Sequence, residues 1–336
     1  MVGVDTHGEV HVAAAVDELG RILGRVEVTA DERGYRELLR FSERLGGVER
    51  FGVEGTGAYG AGLARFLKAK GHEVVEVDRP DRRTRRAQGK SDPVDAEAAA
   101  RATLAGTARG TPKSRDGRVE MIRVLRVARR SAIRARTQAV NQLHALVTTA
   151  PEELRARFRD LGPKDLVSAA SRLRHGALDT PMQATKLAMS EIAKRYLALD
   201  GEVERLDARL EELVHSAAPP LVALFGVGTE VAGQLLVTAG DNPERLRSES
   251  SFAHLCGVAP LPASSGKTVR HRLNRGGDRQ ANQALWRIVM VRLSCEPRTR
   301  AYAARRRAEG LSTAETIRCL KRYVAREVYR CLVDEA

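Results

Sequence analysis

Long apolar runs are missing from this chain of 336 residues. None approaches the roughly 20 residues that a membrane-spanning helix needs, so no membrane insertion is expected. The first ten residues, MVGVDTHGEV, lack the basic region and apolar core of a secretory signal, so no signal peptide is expected either.

Cysteine is scarce and poorly placed for a metal or disulfide framework. The four cysteines lie in the last quarter without a CxxC pair, and the eight histidines do not cluster with them. A zinc site is therefore not expected. The simplest expectation is reduced, partly buried thiols in a cytoplasmic protein, at Cys256, Cys295, Cys319 and Cys331.

Negative charge and aromatic side chains are also in short supply. Lysine and arginine number 57 against 43 aspartate and glutamate, which leaves a net charge of +14. This excess favours a phosphate-rich partner, either nucleic acid or an anionic membrane. Aromatic residues make up only 4% of the chain, so base-stacking platforms for single strands are scarce. Backbone and shape recognition, or base pairing by a bound RNA, is the better expectation.

The first hundred residues alternate between short apolar strands and helical spacing. MVGVD, VHVAAAVD and RILGRVEVTA predict three strands, the last two joined as a hairpin. DERGYRELLRFSERLG predicts a helix, VERFGVEGTG a fourth strand, AYGAGLARFLKAKG a second helix and HEVVEVD a fifth strand. With a helix from Asp92, the order β-β-β-α-β-α-β-α predicts an α/β domain, a mixed sheet with helices on its faces.

Four acidic residues stand at the ends of these elements. If strand one lies beside strand four, Asp5 lies close to Glu54, and the helix that opens in GKSDPVDAEAAARA brings Asp92 and Asp95 over the same edge. Such a cluster repels itself unless cations occupy it, and hard oxygen ligands select Mg²⁺ or Mn²⁺. Two such ions activate a nucleophile and stabilise the leaving oxygen in phosphodiester displacement. Helix capping is the alternative for Asp92, since Asp and Pro are favoured at helix starts.

This arrangement resembles the ribonuclease H-like fold, in the version used by Holliday-junction resolvases of the RuvC type. Actin-like sugar kinases share the sheet, but they need small residues directly after the first acid, where this chain has Thr6 and His7 before Gly8. A metal-dependent nuclease domain is therefore the preferred interpretation. His7 and His11 are left outside the predicted site, because histidines at strand ends are more often simply exposed.

The middle of the chain is polar and helical and ends in a heptad-like seam. Apolar positions alternate by three and four over about three and a half heptads, which is typical of a coiled coil. A coiled coil that joins subunits and an amphipathic helix packed on its own domain are both consistent with this pattern. The seam consists of Met189, Ile192, Tyr196, Leu199, Val203, Leu206, Leu210 and Leu213.

Basic segments supply candidate contacts to nucleic-acid phosphates. RPDRRTRRAQGK leads directly into the acidic helix, RVEMIRVLRVARRSAIRAR aligns arginines on one helix face, and LFGVGTEVAGQLL has the pattern of a non-specific DNA-binding helical hairpin. The predicted nucleic-acid-binding residues are Arg82, Arg83, Arg85, Arg86, Lys90, Arg123, Arg126, Arg130, Arg134, Gly226, Gly228, Lys267, Arg270, Arg272, Arg275 and Arg279.

A serine loop is the most informative feature of the C-terminal part. CGVAPLPASSGKTVRHRLNRGGDRQANQAL places Ser264 and Ser265 before a glycine and a series of basic residues. A Ser-Gly loop is most often a turn, and a serine nucleophile needs a base, a metal or strong electrostatic help. The four carboxylates would hold the metal ions that such a serine needs.

Together these segments resemble one family. VGVDTHGEVHVAAAVDELG, GVEGTGAYG, DRPDRRTRRAQGKSDPVDAEAAARA and the block CGVAPLPASSGK…RLNRGGDRQANQAL are similar to the DEDD transposases of the insertion-sequence one-ten group, also described as bridge-RNA-guided recombinases. The resemblance covers essentially the whole chain.

The resemblance implies a function and a division into domains. Residues 1–108 would form a RuvC-like domain with the catalytic acids Asp5, Glu54, Asp92 and Asp95, which would hold Mg²⁺ or Mn²⁺. Residues 109–216 would form a helical, coiled-coil linker. Residues 217–336 would form a mainly α transposase domain. The family's serine directly precedes glycine, which points to Ser265 as the nucleophile, with Ser264 as its neighbour.

The resemblance also implies partners. These would be double-stranded donor and target DNA, a guide noncoding RNA from the element, and further copies of the chain, as a dimer that assembles into a tetramer with composite active sites. The protein would then be bacterial, cytoplasmic and nucleoid-associated.

Other functions remain open at this stage. A hydrolytic DEDD junction nuclease would cleave without covalent catalysis, and a binder of RNA or DNA with decayed acids would not cleave at all. Tyr323 or Tyr329 is the candidate nucleophile of a tyrosine recombinase, but without a surrounding Arg-His-Arg set both are better explained by helix packing.

Overall fold

The computed structural model describes residues 1–77, 91–264 and 271–333. The chain divides into two compact units, each assembled from separated segments. Unit one comprises Met1–Gly117, Thr238–Asp278 and Ala325–Ala336, and unit two comprises Arg118–Val237 and Arg279–Val324. The three functional domains expected along the sequence remain a prediction.

Unit one is built on a five-stranded mixed sheet. The strands are β1 (Val2–Thr6), β2 (Val10–Val16), β3 (Ile22–Thr29), β4 (Arg50–Glu54) and β5 (Glu73–Val77), in the spatial order β3-β2-β1-β4-β5. Strand β1 pairs antiparallel with β2 and parallel with β4, and β4 pairs parallel with β5. The mixed sheet predicted from the sequence is therefore confirmed, and the first strand lies beside the fourth, which is the condition on which the predicted acid cluster depends.

Helices cover both faces of this sheet. On one face, α1 (Glu32–Arg44) and α2 (Ala61–Ala69) bury Leu38 and Leu63 against Val4 and Val53. The other face carries α3 (Asp92–Leu104). Because successive strand residues point to opposite faces, the residues beside Val4 and Val53 in sequence point toward α3.

Two glycines allow α3 to lie directly on the sheet. A Cβ atom on Gly3 would stand 2.1 Å from the backbone nitrogen of Ala100 and 2.3 Å from the carbonyl oxygen of Ala96. A Cβ atom on Gly52 would stand 1.9 Å from the Oγ1 atom of Thr103. The absence of a side chain at these two positions permits this close approach, which sets the height of α3 above the sheet.

Unit two is dominated by two long helices, α4 (Arg118–Thr149) and α7 (Pro181–Ala217). They run antiparallel, because Arg129 pairs with Asp207 while Arg136, further along α4, pairs with the earlier Asp200 of α7. The remaining α-helices of the described chain are α5 (Glu152–Phe158), α6 (Pro163–Ser171), α8 (Pro219–Ala223), α9 (Thr229–Ala239), α10 (Glu249–Leu255), α11 (Arg279–Cys295), α12 (Pro297–Ala308) and α13 (Thr313–Val333). A two-stranded ribbon, β6 (Leu261–Pro262) and β7 (His271–Arg272), lies in unit one.

The predicted heptad seam lies on α7, and part of it is buried within the chain. Met189, Val203 and Leu210 are at most 5% exposed, and Met189 belongs to a core with Leu143 of α4. A partner within the same chain therefore covers positions that the sequence pattern also allowed for a second subunit. Subunit assembly through the rest of the seam stays a prediction.

The described helices and the four cysteines bear on the expectations drawn from composition. None of the described helices is long and apolar enough to cross a membrane. All four cysteines lie in the described chain and none is in a disulfide. Cys256 is buried, and burial raises the pKa of its thiol, whereas Cys295 is exposed rather than partly buried as expected.

One predicted nucleic-acid-binding residue, Arg126, lies inside unit two, and its contact with nucleic acid stays a prediction. Its side chain is 5% exposed and donates hydrogen bonds to the carbonyl of Glu230 at 2.6 Å and to Oε1 of Gln234 at 2.9 Å. Arg123 and Arg130 are also engaged, with Glu120 and Gln280, whereas Arg134 is exposed. The spacing of three and four residues along α4 correctly places these arginines on one helix face. It does not show that α9 covers part of that face.

Replacing Arg126 and Arg134 separately tests this division. We expect Arg126→Ala to cost about 2–3 kcal/mol of unfolding free energy, since it leaves buried acceptors without their donor. Arg134→Ala should stay within about 0.5 kcal/mol of the wild type. Denaturant unfolding measures both, and fluorescence anisotropy with labelled DNA measures binding. If Arg126→Ala left the stability unchanged and weakened DNA binding, Arg126 would be a nucleic-acid contact and not an internal structural residue.

Candidate active site

The carboxyl ends of two parallel strands each carry an acid on the face that α3 covers. The register pairs Val4 with Val53, which places Asp5 and Glu54 one residue further along β1 and β4. Asp5 is 7% exposed and Glu54 is 4% exposed. Both acids are therefore held beneath the start of α3 rather than at a solvated strand end.

The first turn of α3 brings two further acids to this edge. Asp95 is 5% exposed, whereas the Asp92 side chain is 47% exposed. Ser91 occupies the N-cap position and Asp92 is the first helical residue, so the capping explanation is wrong for Asp92. Its carboxylate points instead toward the end of β1, as the following distances show.

Asp5, His7 and Asp92 form a compact group of ligand atoms. The Nε2 atom of His7 lies 3.1 Å from Oδ2 of Asp5 and 3.4 Å from Oδ1 of Asp92. One ligand atom from each of the three residues lies within 4.8 Å of the other two. Asp95 and Glu54 share the face but are not members of this tight group. His7 was missed because only its position two residues after Asp5 marked it, and the approach of α3 is not visible in the sequence.

The electrostatics of this group suit a cation. Burial raises the pKa of Asp5, and the charges of Asp95 and Asp92 raise it further, while contact with His7 lowers it. When neighbouring carboxylates repel a buried carboxylate, a positive ion stabilises its charged form. Carboxylate oxygens are ligands for divalent metal ions, and an imidazole nitrogen beside them is a further ligand that many such ions accept.

His11 is structural rather than part of this group. It is fully buried, and its ring stacks on Tyr35 with centroids 5.8 Å apart. Burial lowers the pKa of His11, which keeps the ring neutral at pH 7. The expectation that His11 is an exposed histidine at a strand end is therefore wrong, since the structure buries it.

Several predicted site residues lie outside the described residues or stand apart from the acids. The structure places Ser264 as an exposed residue after β6, and Arg272, Arg275 and Arg279 are also exposed. Gly226 adopts a φ of +83° in the turn between α8 and α9, and Gly228 is exposed just before α9. The predicted residues outside the described ranges are Arg82, Arg83, Arg85, Arg86, Lys90, Ser265, Lys267 and Arg270.

The candidate tyrosines agree with helix packing. The hydroxyl of Tyr329 donates to the carbonyl of Leu246 at 3.0 Å, and its ring packs against Phe252. Tyr323 packs edge-on against Tyr302 with centroids 5.6 Å apart. Neither arrangement resembles the activated nucleophile of a tyrosine recombinase.

The strand order, the parallel pairing of β1 with β4 and the acids beneath α3 define a ribonuclease H-like domain of the DEDD type. Two family models match the chain beyond this fold. A DEDD transposase model of the IS110 type, described as "Transposase", matches residues 2–150, and one described as "Transposase IS116/IS110/IS902 family" matches residues 219–304. The chain belongs to the IS110 family of DEDD transposases.

Three relatives support the same grouping. An uncharacterized 43.6 kDa protein of insertion element IS110 from Streptomyces coelicolor is 28% identical and covers 47% of this chain and 38% of its own length. An uncharacterized 42 kDa protein of IS900 from Mycobacterium paratuberculosis is 27% identical, over 46% of this chain and 39% of its own length. The mini-circle protein of IS117 from Streptomyces coelicolor is 24% identical, over 98% of this chain and 93% of its own length. The chain thus spans about two fifths of the length of the first two relatives.

Proposed function

We propose that this protein is an insertion-sequence transposase that cuts and rejoins double-stranded DNA. The observation that carries the proposal is the convergence of Asp5 and Asp92, with Asp95 and Glu54 buried on the same face of the sheet. Membership of the IS110 family and the net charge of +14 both favour DNA as the substrate.

Asp5, Glu54, Asp92 and Asp95 would hold divalent metal ions, and His7 offers a nitrogen ligand beside two of them. Bound metal would activate the attacking oxygen and stabilise the leaving oxygen. The burial of Asp5, Glu54 and Asp95 would keep their carboxylates in place before DNA arrives, and the exposed carboxylate of Asp92 would be the one that an approaching phosphodiester can reach. The site is then arranged before the substrate binds, which is the arrangement that electrostatic catalysis requires.

The attacking group would be the hydroxyl of Ser265, as the family resemblance implies. Its oxygen would form a bond to phosphorus and release its proton, while the bond from phosphorus to one deoxyribose oxygen breaks and that oxygen takes up a proton. The phosphodiester energy would be kept in a phosphoserine bond. The hydroxyl at the released end of a second strand would then attack that phosphorus, release the serine and rejoin the DNA without ATP. A guide RNA from the element would choose the donor and target sequences, within a dimer or tetramer of the chain.

A covalent adduct separates this reaction from plain hydrolysis. The protein is co-expressed with the noncoding RNA that flanks its element and mixed with end-labelled donor and target DNA and Mg²⁺. We expect an SDS-resistant protein–DNA adduct that Ser265→Ala abolishes. Ser264→Ala is the matched control, since it removes the neighbouring hydroxyl from the same loop and should keep the adduct.

Two results would contradict the serine mechanism. Cleavage by Ser265→Ala at the wild-type rate, without an adduct in any variant, would make the protein a hydrolytic DEDD nuclease that uses the same acids. An adduct that only Ser264→Ala abolishes would move the nucleophile by one residue. Omission of the RNA tests the guide, because target choice should then be lost.

A further inference from the structure

A basic cavity lies at the opposite end of β4 from the acids. It has a volume of about 540 Å³, and all its described lining residues belong to unit one. Its walls come from the amino ends of β4 and β5, the end of α2, the segment 106–111 and Arg247. Arg50 at this end is four residues from Glu54, which is about 13 Å of strand at roughly 3.3 Å per residue.

Three cations in this cavity donate to backbone carbonyl groups; burial lowers the pKa of Lys68, while the charges of Asp116, Glu244 and Glu76 raise it. Lys68 donates to the carbonyl of Pro112 at 3.1 Å, Arg109 to that of Gly106 at 2.7 Å, and Arg247 to that of Arg109 at 3.2 Å. Carbonyl groups orient a cation but do not neutralise it. The described lining contains one carboxylate, Glu73, and it pairs with Arg50 at 2.9 Å.

The cavity is built in advance of any ligand. The backbone nitrogen of Glu76 donates to the carbonyl of Gly110 at 2.6 Å, which attaches the segment 106–111 to the edge of β5. Val74 and Val75 are buried in the wall, and the ring of His72 packs edge-on against Phe51 with centroids 5.3 Å apart. A site ordered before binding loses less entropy when a ligand enters it.

We propose that this cavity binds the phosphodiester backbone of a nucleic acid as an anchoring site, separate from the site of strand cleavage. Pockets of about 300–1,000 Å³ that bind small molecules are mostly apolar, whereas this one is lined by the basic side chains of Arg50, Lys68, Arg109 and Arg247. Phosphate oxygens are the complementary group, because lysine and arginine that contact the backbone account for most of the affinity for nucleic acid. The distance along β4 keeps the anchored segment away from the carboxylates, which would repel it.

Equilibrium binding without metal tests the proposal independently of cleavage. The pocket variant combines Lys68→Gln, Arg109→Gln and Arg247→Gln. The control variant removes three exposed arginines of α1 in the same unit, through Arg33→Gln, Arg36→Gln and Arg40→Gln. Both lose the same charge, and thermal unfolding checks that both remain folded. Labelled duplex DNA and labelled RNA of the same sequence are titrated separately by fluorescence anisotropy.

We expect the pocket variant to bind about 10-fold more weakly at 100 mM salt and to reduce the slope of log affinity against log salt by about two to three. The control should stay within about 2-fold. Glu73→Gln should act in the opposite direction and strengthen binding, since it releases Arg50 from its carboxylate partner. Loss with DNA alone, RNA alone or both identifies the strand that occupies the cavity.

Equal losses in the pocket and control variants would overturn the anchoring site and leave the proposed transposase function intact. This inference rests on that function only in taking nucleic acid as the partner. If the wild type bound neither DNA nor RNA, the proposed function itself would fail, and the two failures are therefore distinguishable.

Discussion

Asp5→Asn is expected to abolish DNA cleavage while making the metal-free protein more stable. The change removes a metal-binding oxygen charge, and we expect activity to fall about 10³-fold or more. Burial and the neighbouring Asp95 and Asp92 raise the pKa of Asp5, so its charged form is costly without a cation. Asparagine has nearly the same shape and carries no charge, so it removes this cost.

The pH dependence of this gain has a definite sign. The folded-state pKa of Asp5 lies above the reference value of 3.8, so the folded metal-free protein binds this proton more tightly than the unfolded chain does. The stabilising effect of the proton is complete below pH 3.8 and is lost as the pH rises through the folded-state pKa. The unfolding temperature of Asp5→Asn should therefore exceed that of the wild type most clearly at pH 7, and the difference should shrink as the pH falls toward 3.8. Each kcal/mol relieved corresponds to about 2–4 °C.

Asp17→Asn provides the matched control in the same unit. Hydrogen bonds from the backbone and side chain of Arg21 lower the pKa of Asp17, which is the opposite shift. Asp17→Asn should cleave DNA normally and should not raise the unfolding temperature. Addition of Mg²⁺ should raise the unfolding temperature of the wild type but not that of Asp5→Asn. Full cleavage by Asp5→Asn, or a lower unfolding temperature at pH 7 without metal, would contradict the metal site.

Gly3→Ala is expected to displace α3 and remove activity without touching an acid. The added Cβ atom would meet backbone atoms of Ala100 and Ala96 at 2.1 and 2.3 Å, and a helix backbone cannot move aside alone. We expect a loss of about 3 kcal/mol or more in unfolding free energy. Cleavage should be lost even below the unfolding temperature, because Asp92 and Asp95 begin the helix that is displaced.

Gly52→Ala should differ in being partly rescued. Its Cβ atom would meet the Oγ1 atom of Thr103 at 1.9 Å, whereas the carbonyl of Ala99 and the Cβ atom of Thr103 are at 3.1 Å. Thr103→Ala removes the closest of these atoms, so the double variant should recover part of the stability lost by Gly52→Ala. Denaturant unfolding of the four proteins forms a double-mutant cycle that measures this coupling.

Gly57→Ala is the control for both glycine predictions. Its Cβ atom would meet only the Nη2 atom of Arg115, at the ordinary contact distance of 3.7 Å. Stability and activity should stay close to those of the wild type. Near-native unfolding of Gly3→Ala would show that α3 does not lie on the sheet at the observed height.

The strands, their order along the chain and the positions of four acids at the ends of these elements can be read from local patterns in the sequence. Apolar alternation marks β1 and β4 because one face of each must meet the core, and Asp5 and Glu54 occupy the positions where that alternation turns toward α3. Asp92, Pro93 and Asp95 mark the first turn of α3, because aspartate and proline are favoured at helix starts. These are local signals, and each can be read within a window of a few residues.

The contacts between distant segments depend on the tertiary structure and are not visible in the sequence. His7 joins Asp5 and Asp92 only because Gly3 and Gly52 let α3 lie on the sheet. Arg126 shares the spacing of its exposed neighbour Arg134, yet α9 packs over it. The basic cavity likewise gathers Lys68, Arg109 and Arg247 from three separated segments. Periodicity predicts which face of an element is apolar, but which partner covers that face depends on packing between residues far apart in the chain.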